Sequence, residues 1–458
     1  MSKLKIFLLI FFSTCLAYGA SLKYGFSQDD WYFLLISQAN NFQGVVNFFN
    51  PFAQSGFAFF RPLGTQLYYF LFTSAFGLSR APLFMHIFML ILQGSCGYLV
   101  YRLAAKLKFS PSSAFLIGLV YATSSAQFLS LFYIAATQQL LAAFFGLLSL
   151  NYFLVRRHWL SAIFFLLALI SKETAIIIPF IAITLSLLTT TKLNLKSMVT
   201  RFMPYTLYLI LYTTLRLLAP HAVQAEYHFT FGLNVLSTLR WYILFAFNAP
   251  EEWLRYATPH LGINLLQFIR DFGLLGFSIT TLTLSSLLLF LVSLIRSSLR
   301  KCALYLSWFV LALAPVLFLL DHRYPHYLDL ALVPLILLLY HSFRGKWQYL
   351  LTAILIVGSV CNIYLSERIH WTTGRAKMAS SALSAIDWSS TCPHSAIIFT
   401  GPKPFPLELS YTLSLANGPR VICQNPKLGV YYQEVVPSEG TVAFPIDISP
   451  VFKSYVQP

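Results

Sequence analysis

Long apolar runs recur along the chain, at residues 83–99, 159–170, 274–295 and 349–365. A bilayer core about 30 Å thick needs roughly 20 mostly apolar residues per crossing helix. Several such stretches in 458 residues leave no room for a large soluble core. Charged residues make up 10% of the chain, against about 25% in soluble domains, and the mean hydropathy is +0.69. The expected fold is an all-α polytopic membrane bundle. The net charge of +16 does not point to nucleic acid, because the basic residues stand in short clusters between apolar runs, the pattern of inward-facing membrane loops.

Counting Lys and Arg in the short loops, with the N-terminus inside, gives about eleven transmembrane helices: residues 4–21, 83–101, 112–125, 128–155, 159–171, 174–189, 202–218, 272–295, 303–320, 326–343 and 349–366. The first, with Lys3 and Lys5 ahead of it and Gly19, Ala20 and Ser21 after it, also has the layout of a cleaved signal peptide; the reading adopted is a retained helix. Residues 1–366 then form the transmembrane unit, with outer loops at 22–82 and 219–271, and residues 367–458 a C-terminal extracytoplasmic α/β domain with β-rich runs at 396–400, 420–423 and 441–444. Two amphipathic pieces, 63–76 and 236–247, are expected to lie at the interface, unless one of them crosses. Of six cysteines, Cys15, Cys96, Cys302 and Cys361 fall in or beside apolar spans, and no pair has zinc-ligand spacing. Cys392 and Cys423 lie in the polar tail, where an oxidising compartment would permit a disulfide. The chain contains no Asn-x-Ser/Thr sequon, which points away from a eukaryotic secretory protein; the expected location is a bacterial inner or plasma membrane.

All fifteen acids fall in outer segments or at the outer ends of helices, although orientation does not require it. Four outer motifs stand out. Gln28-Asp29-Asp30-Trp31 places two carboxylates side by side, where repulsion raises one pKa; such a group can take a proton from an acceptor hydroxyl, or merely cap a helix. Phe60-Arg61-Pro62-Leu63 puts a forked phosphate donor, or an interfacial anchor, ahead of a helix-starting proline. Ser171-Lys172-Glu173-Thr174 interrupts apolar sequence with two ionisable groups, which are costly there unless they pair or serve a site. Asp321-His322-Arg323-Tyr324, with His326 and then Asp329, offers cations for a phosphate leaving group, or an ion pair within the bundle. Arg216, Arg240, Arg255 and Arg270 add outer positive charge, which surface lipid phosphates would also explain.

These pieces, in this order over residues 4–343, resemble the GT-C-fold glycosyltransferases that use polyprenyl-phosphate sugars, and among them the protein O-mannosyltransferase and lipid A aminoarabinose transferase superfamily. The resemblance rests on the acidic pair Asp29-Asp30, the Arg61-Pro62-Leu63 helix entry, the Ser171-Lys172-Glu173 break and the Arg323-Tyr324 step. It implies inverting transfer to an extracytoplasmic glycan, lipid or protein, with Asp29 as base and Asp30 as second choice. Arg61, Lys172, His322 and Arg323 would bind the donor phosphate, with Glu173, Tyr324 and Asp329 in support. Several members have Asp-Glu where this chain has Asp-Asp, which leaves the choice of base open. Metal use varies among such enzymes, and no ligand cluster here demands one, so no cofactor is expected. The rival readings are a polysaccharide polymerase or ligase, led by arginines, and a lipid-linked-sugar flippase or transporter. No internal repeat of the kind transporters show is visible.

Overall fold

The computed structural model describes residues 2–53, 59–189, 195–219, 229–258, 262–320, 322–433 and 443–451. It is helical almost throughout. Helix α1 (Lys3–Tyr18) is capped by Ser2, whose side chain accepts from the Lys5 N–H. It packs into the bundle on Ile6, Ile10 and Tyr18, and the Tyr18 hydroxyl donates to the Ser124 carbonyl. Two short helices follow, α2 (Asp29–Ile36) and α3 (Phe42–Asn47), then a wide-turned segment, Pro62–Leu67, that runs into α4 (Tyr68–Lys106). Helix α4 is broken at Gly77, whose φ of 72° suits a residue without a Cβ. Residues 63–76 are therefore a separate limb ahead of the crossing, as the amphipathic pattern predicts.

Six helical stretches are long and apolar enough to cross a membrane: Lys3–Lys23, Pro62–Lys106, Pro111–Phe132, Ile134–Leu154, Leu265–Arg296 and Lys346–Ile369. They comprise α1, α4, α5 (Pro111–Ala122) with α6 (Phe128–Phe132), α7 (Thr137–Leu154), α12 (Leu265–Arg296) and α15 (Lys346–Ile369). Leu284, Leu288 and Leu291 on α12 and Val357 and Val360 on α15 are exposed, an outward face that only lipid would cover. The chain is an integral membrane protein. Helices also stand where five further crossings are expected, as α8 (His158–Leu169), α9 (Ile178–Thr189), α10 (Leu195–Leu218), α13 (Leu299–Leu313) and α14 (Asp329–Ser342). Among the described residues these fall short of the length or apolarity by which the six qualify, so length and composition support six of the eleven expected crossings. The second interfacial piece forms α11 (Asn234–Ala246).

Residues 128–155, expected as one helix, are two. Tyr133 adopts extended backbone between α6 and α7, which turns its ring out of the helical stack. The break matters for the site below.

The tail continues from α15 through α16 (Trp371–Ala385) and α17 (Trp388–Thr391) into a three-stranded parallel sheet of order β2-β1-β3. The central strand β1 (Ala396–Thr400) pairs Ile397 with Val430 of β2 (Gly429–Tyr432) and Ile398 with Pro445 of β3 (Phe444–Asp447). Between β1 and β2 run α18 (Phe405–Thr412) and α19 (Asn417–Ile422), the crossover that a parallel pair needs. The expected strand at 420–423 is thus a correction: Pro419 sits in the first turn of a helix, where its missing N–H costs nothing. Of the run at 441–444, residues 441 and 442 lie outside the described residues, and β3 begins at its last residue, Phe444. A Cys392–Cys423 disulfide ties the start of β1 to the end of α19 across a Cα separation of 5.1 Å. The boundary drawn at residue 366 falls near the end of α15, which runs on to Ile369.

That bridge has a direct chemical readout. In denatured, unreduced protein isolated from membranes, a maleimide reagent should label Cys15, Cys96, Cys302 and Cys361, and after reduction all six cysteines, read by intact mass. Six labels before reduction would contradict the bridge.

Candidate active site

The acidic pair opens α2 and is divided by it. Asp30 points inward and is fully buried; its carboxylate accepts from the Ser27 N–H at 2.8 Å and the Tyr69 hydroxyl at 2.5 Å. Burial pushes its carboxyl up to about 8 against those hydrogen bonds, and the neighbouring Asp29 adds only a minor upward push. One of the two acids is raised as expected, with loss of water rather than mutual repulsion as the main cause. Asp29 is exposed and lines a cavity of about 630 Å³, and its N–H donates to the Tyr133 hydroxyl at 3.0 Å. Before it, Gln28 holds a φ of 54°, a backbone state that costs a non-glycine residue roughly 1–3 kcal/mol. The tail secures it: the Gln28 N–H donates to the Thr412 carbonyl at 2.7 Å, and Arg375 donates to the Gln28 side-chain oxygen at 2.8 Å.

The opposite wall joins two motifs far apart in sequence. Arg61 forks onto Glu173, with Nε to Oε2 at 2.7 Å and Nη2 to Oε1, while Nη1 donates to the Gln138 side chain at 2.8 Å. Its guanidinium also lies 3.8 Å from the Phe59 ring centroid. Gly64 is what permits this approach. A Cβ there would lie 2.5 Å from the Gln138 Cβ and 3.0 Å from the Ser171 carbonyl oxygen. Because Glu173 occupies the fork that the sequence assigns to a phosphate, Arg61 contributes positive field more than open donors. Lys172, next to Glu173, is buried against the same cavity, its Nζ 4.7 Å from the Tyr327 ring centroid. Its ammonium makes no ion pair among the described residues. Burial, and secondarily the Arg61 charge, lower it to about 7.

The third wall comes from the segment before α14 and from the tail. His322, Tyr324, His326 and Tyr327 line the cavity, with Tyr324 stacked 5.7 Å from His326 and 6.2 Å from Trp371. Burial holds His326 well below the usual histidine range, hence neutral at pH 7. Trp371 and Arg375, one turn apart on α16, close the rim. Glu251 fixes Trp371 by accepting from its indole N–H at 3.1 Å, and itself contacts His370 Nε2 at 3.2 Å.

Of the residues singled out from sequence, Asp29, Arg61, Lys172, His322 and Tyr324 therefore share one cavity. Asp30 and Glu173 stand behind its walls. Arg323 does not line it; its Nε donates to the Leu320 carbonyl at 2.7 Å. Asp329 begins α14 fully buried, and the Gln127 and Gln139 amides approach it without closing a well-formed hydrogen bond. Asp321 lies outside the described residues. Tyr133, Gln138, Tyr327, Trp371 and Arg375 are cavity residues that the motifs did not reveal. A signal existed for Gln138, since polar amides in an apolar run are costly without partners. The i, i+4 spacing of Trp371 and Arg375 was another. Among the described residues no group of three His, Cys, Asp or Glu is placed to hold a metal ion.

No protein-family model matches the sequence, and no curated protein does. Among solved structures, the chain aligns with the oligosaccharyltransferase of Archaeoglobus fulgidus in its apo form over 93% of its own length and 64% of that chain, with 12% identity and a TM-score of 0.48. The same transferase in complex with zinc and sulfate aligns over 93% and 62%, with 11% identity and a TM-score of 0.45. The chain thus spans less than two thirds of that protein's length, and similarity at this level assigns neither a family nor an activity.

The geometry makes two tests available. Gly64→Val should destabilise the protein by roughly 1–3 kcal/mol, the usual effect of overpacking, seen as a lowered Tm. A lysine near 7 binds an anion only when protonated. Affinity for dodecyl phosphate, followed by tryptophan emission with Trp371 at the wall, should therefore fall roughly tenfold per pH unit between about pH 8 and pH 9, where the ligand's own charge is constant. Lys172→Met should bind more weakly and flatten that slope.

Proposed function

We propose that the chain is an inverting glycosyltransferase that moves a sugar from a polyprenyl-phosphate donor to an extracytoplasmic glycan, lipid or protein. The observation that carries the reading is that Asp29 and Lys172 line one cavity of about 630 Å³ at the rim of a membrane bundle, within the range of small-molecule sites. Asp29 takes the acceptor hydroxyl proton. The acceptor oxygen attacks the anomeric carbon from one face while the carbon–oxygen bond to the phosphate breaks on the other, so polyprenyl phosphate leaves with the electron pair. Lys172, backed by Arg61, meets the growing phosphate charge where water is scarce, the setting in which such stabilisation is largest. The low proton affinity of Lys172 in the empty site suits this role, because a dianion restores its charge on binding. Tyr32, Tyr133 and Trp371 give the sugar ring aromatic faces. The isoprenoid lies along the apolar outer faces of the helices, with the N-terminus cytoplasmic and the cavity and tail on the far side, the orientation that the basic short loops favour.

Asp29→Asn should lower transfer by about 10²–10⁴-fold, the usual contribution of a general base, with binding of the donor lipid unchanged; Lys172→Met should weaken both. Transfer of radiolabelled sugar from a polyprenyl-phosphate pool in membranes measures this. Undiminished transfer by the Asp29 variant would remove the carboxylate from the mechanism and favour the arginine-led polymerase or ligase.

A further inference from the structure

A second large cavity, of about 530 Å³, lies at the opposite end of the bundle. Helix α14 begins two residues after Tyr327 of the first cavity and ends beside the second, fourteen residues later. At 1.5 Å per residue the two are ~20 Å apart along its axis. Four segment ends meet there: the last turn of α4, the first of α5, the last of α14 and the first of α15. Lys108 and Arg344 line it and are exposed, with the Ser110 and Ser112 hydroxyls between α4 and α5. A third cation, Lys301, donates to His341 Nε2 at 2.5 Å on the same wall. No acid lines the cavity, and none occurs in residues 102–113, 296–301 or 341–349. The floor is fixed: the Ser113 hydroxyl donates to the Gln348 side-chain oxygen at 2.9 Å, and the Gln348 amide to the Phe343 carbonyl at 2.7 Å.

We infer that this cavity binds the phosphate group of an anionic phospholipid. Cations with no acid among them call for an anion, and a volume of about 530 Å³ admits a phosphate headgroup. A basic turn alone would orient the chain without forming a pocket. What favours a lipid-borne phosphate over a free one is the rim. Trp347, Tyr349 and Leu350 are exposed beside Arg344, as expected at the boundary between water and acyl chains. A phosphate held by Lys108 and Arg344 would leave its acyl chains to run along the apolar face of α15. This inference does not depend on the reaction proposed for the first cavity.

The test compares the wild type with Lys108→Gln/Arg344→Gln and, as control, Arg156→Gln/Arg157→Gln, a basic turn outside this cavity. The side chains replaced at Lys108 and Arg344 are exposed, so the bundle keeps its packing. Phosphatidylglycerol is titrated into detergent-purified protein and counted by native mass spectrometry, with phosphatidylcholine and inorganic phosphate as parallel ligands. Two headgroup cations near the surface predict about a thirty-fold loss of phosphatidylglycerol affinity in the cavity variant, little change in the control, and weak binding of phosphatidylcholine and inorganic phosphate to all three. Equal affinity in wild type and cavity variant, or an equal loss in the control, would overturn the site. Tight binding of inorganic phosphate without lipid selectivity would overturn the lipid assignment.

Discussion

The fork between buried Arg61 and half-exposed Glu173 is the contact on which the rest of the site depends. It joins segments 112 residues apart and lies between the Gln138 amide and the Phe59 ring. Taking the Arg61 charge out of water is expensive, and the attraction recovers that expense only when geometry is good and the remaining donors are satisfied. Here all three guanidinium nitrogens have acceptors. Removing Glu173 would leave the buried Arg61 charge without its carboxylate, whereas removing Arg61 would leave Glu173 partly in water. The fork therefore fixes the course of Pro62-Leu63-Gly64 over Ser171, with Leu63 N–H donating to the Ile170 carbonyl at 3.3 Å. It also neutralises Glu173, which otherwise would be the natural partner of its neighbour Lys172. The ion pair leaves an adjacent ammonium directed at the cavity.

The tail belongs to this arrangement rather than hanging beside it. Gln28 occupies an unfavourable backbone conformation immediately before Asp29, and both groups that hold it come from beyond residue 370. Arg375, which supplies one of them, lies 5.6 Å from the Trp371 ring centroid and 5.1 Å from that of Tyr411, and its Nε is 3.5 Å from Glu408. The direction in which Asp29 enters the cavity is thus set by the C-terminal unit. A sharp boundary between a catalytic membrane part and an accessory tail does not describe the contacts.

The sequence made the helices legible because apolar length is a property of a contiguous stretch. It also marked the breaks at Gly77 and around Lys172, where glycine or charge interrupts the pattern. What it left open depends on contacts made at a distance. Nothing local says that Asp30 rather than Asp29 turns inward; the Tyr69 hydroxyl on α4 decides it. Nothing local says that Arg323 bonds back to Leu320 while His322 and Tyr324 face the cavity. Residues 420–423 look β-rich, yet in place the run forms the last turn of a short helix stapled by Cys423. Tyr133 reaches the site through a helix break that neither proline nor glycine announces.

The segregation of acids also reads differently in three dimensions. Four of the fifteen, Glu226, Asp321, Glu434 and Glu439, lie outside the described residues. Most of the others have structural work. Glu173, Glu251, Glu367 and Glu408 pair with Arg61, His370, Lys23 and Arg375. Asp271 accepts from Tyr256 and Gln267, Asp387 caps α17, and Asp447 accepts from Ser449. Asp30, Glu252 and Asp329 are buried, and burial raises Glu252 above the usual carboxylate range. The plain explanation, that acids sit where the large loops are, therefore accounts for most of them. Asp29 differs from these in lining the large cavity together with Lys172 and Arg61. Its carboxylate is exposed to the cavity, while Lys172 in the same lining is buried, and burial lowers the lysine to about 7. Between the two aspartates the difference is access to water, and that difference follows from which side of α2 each occupies.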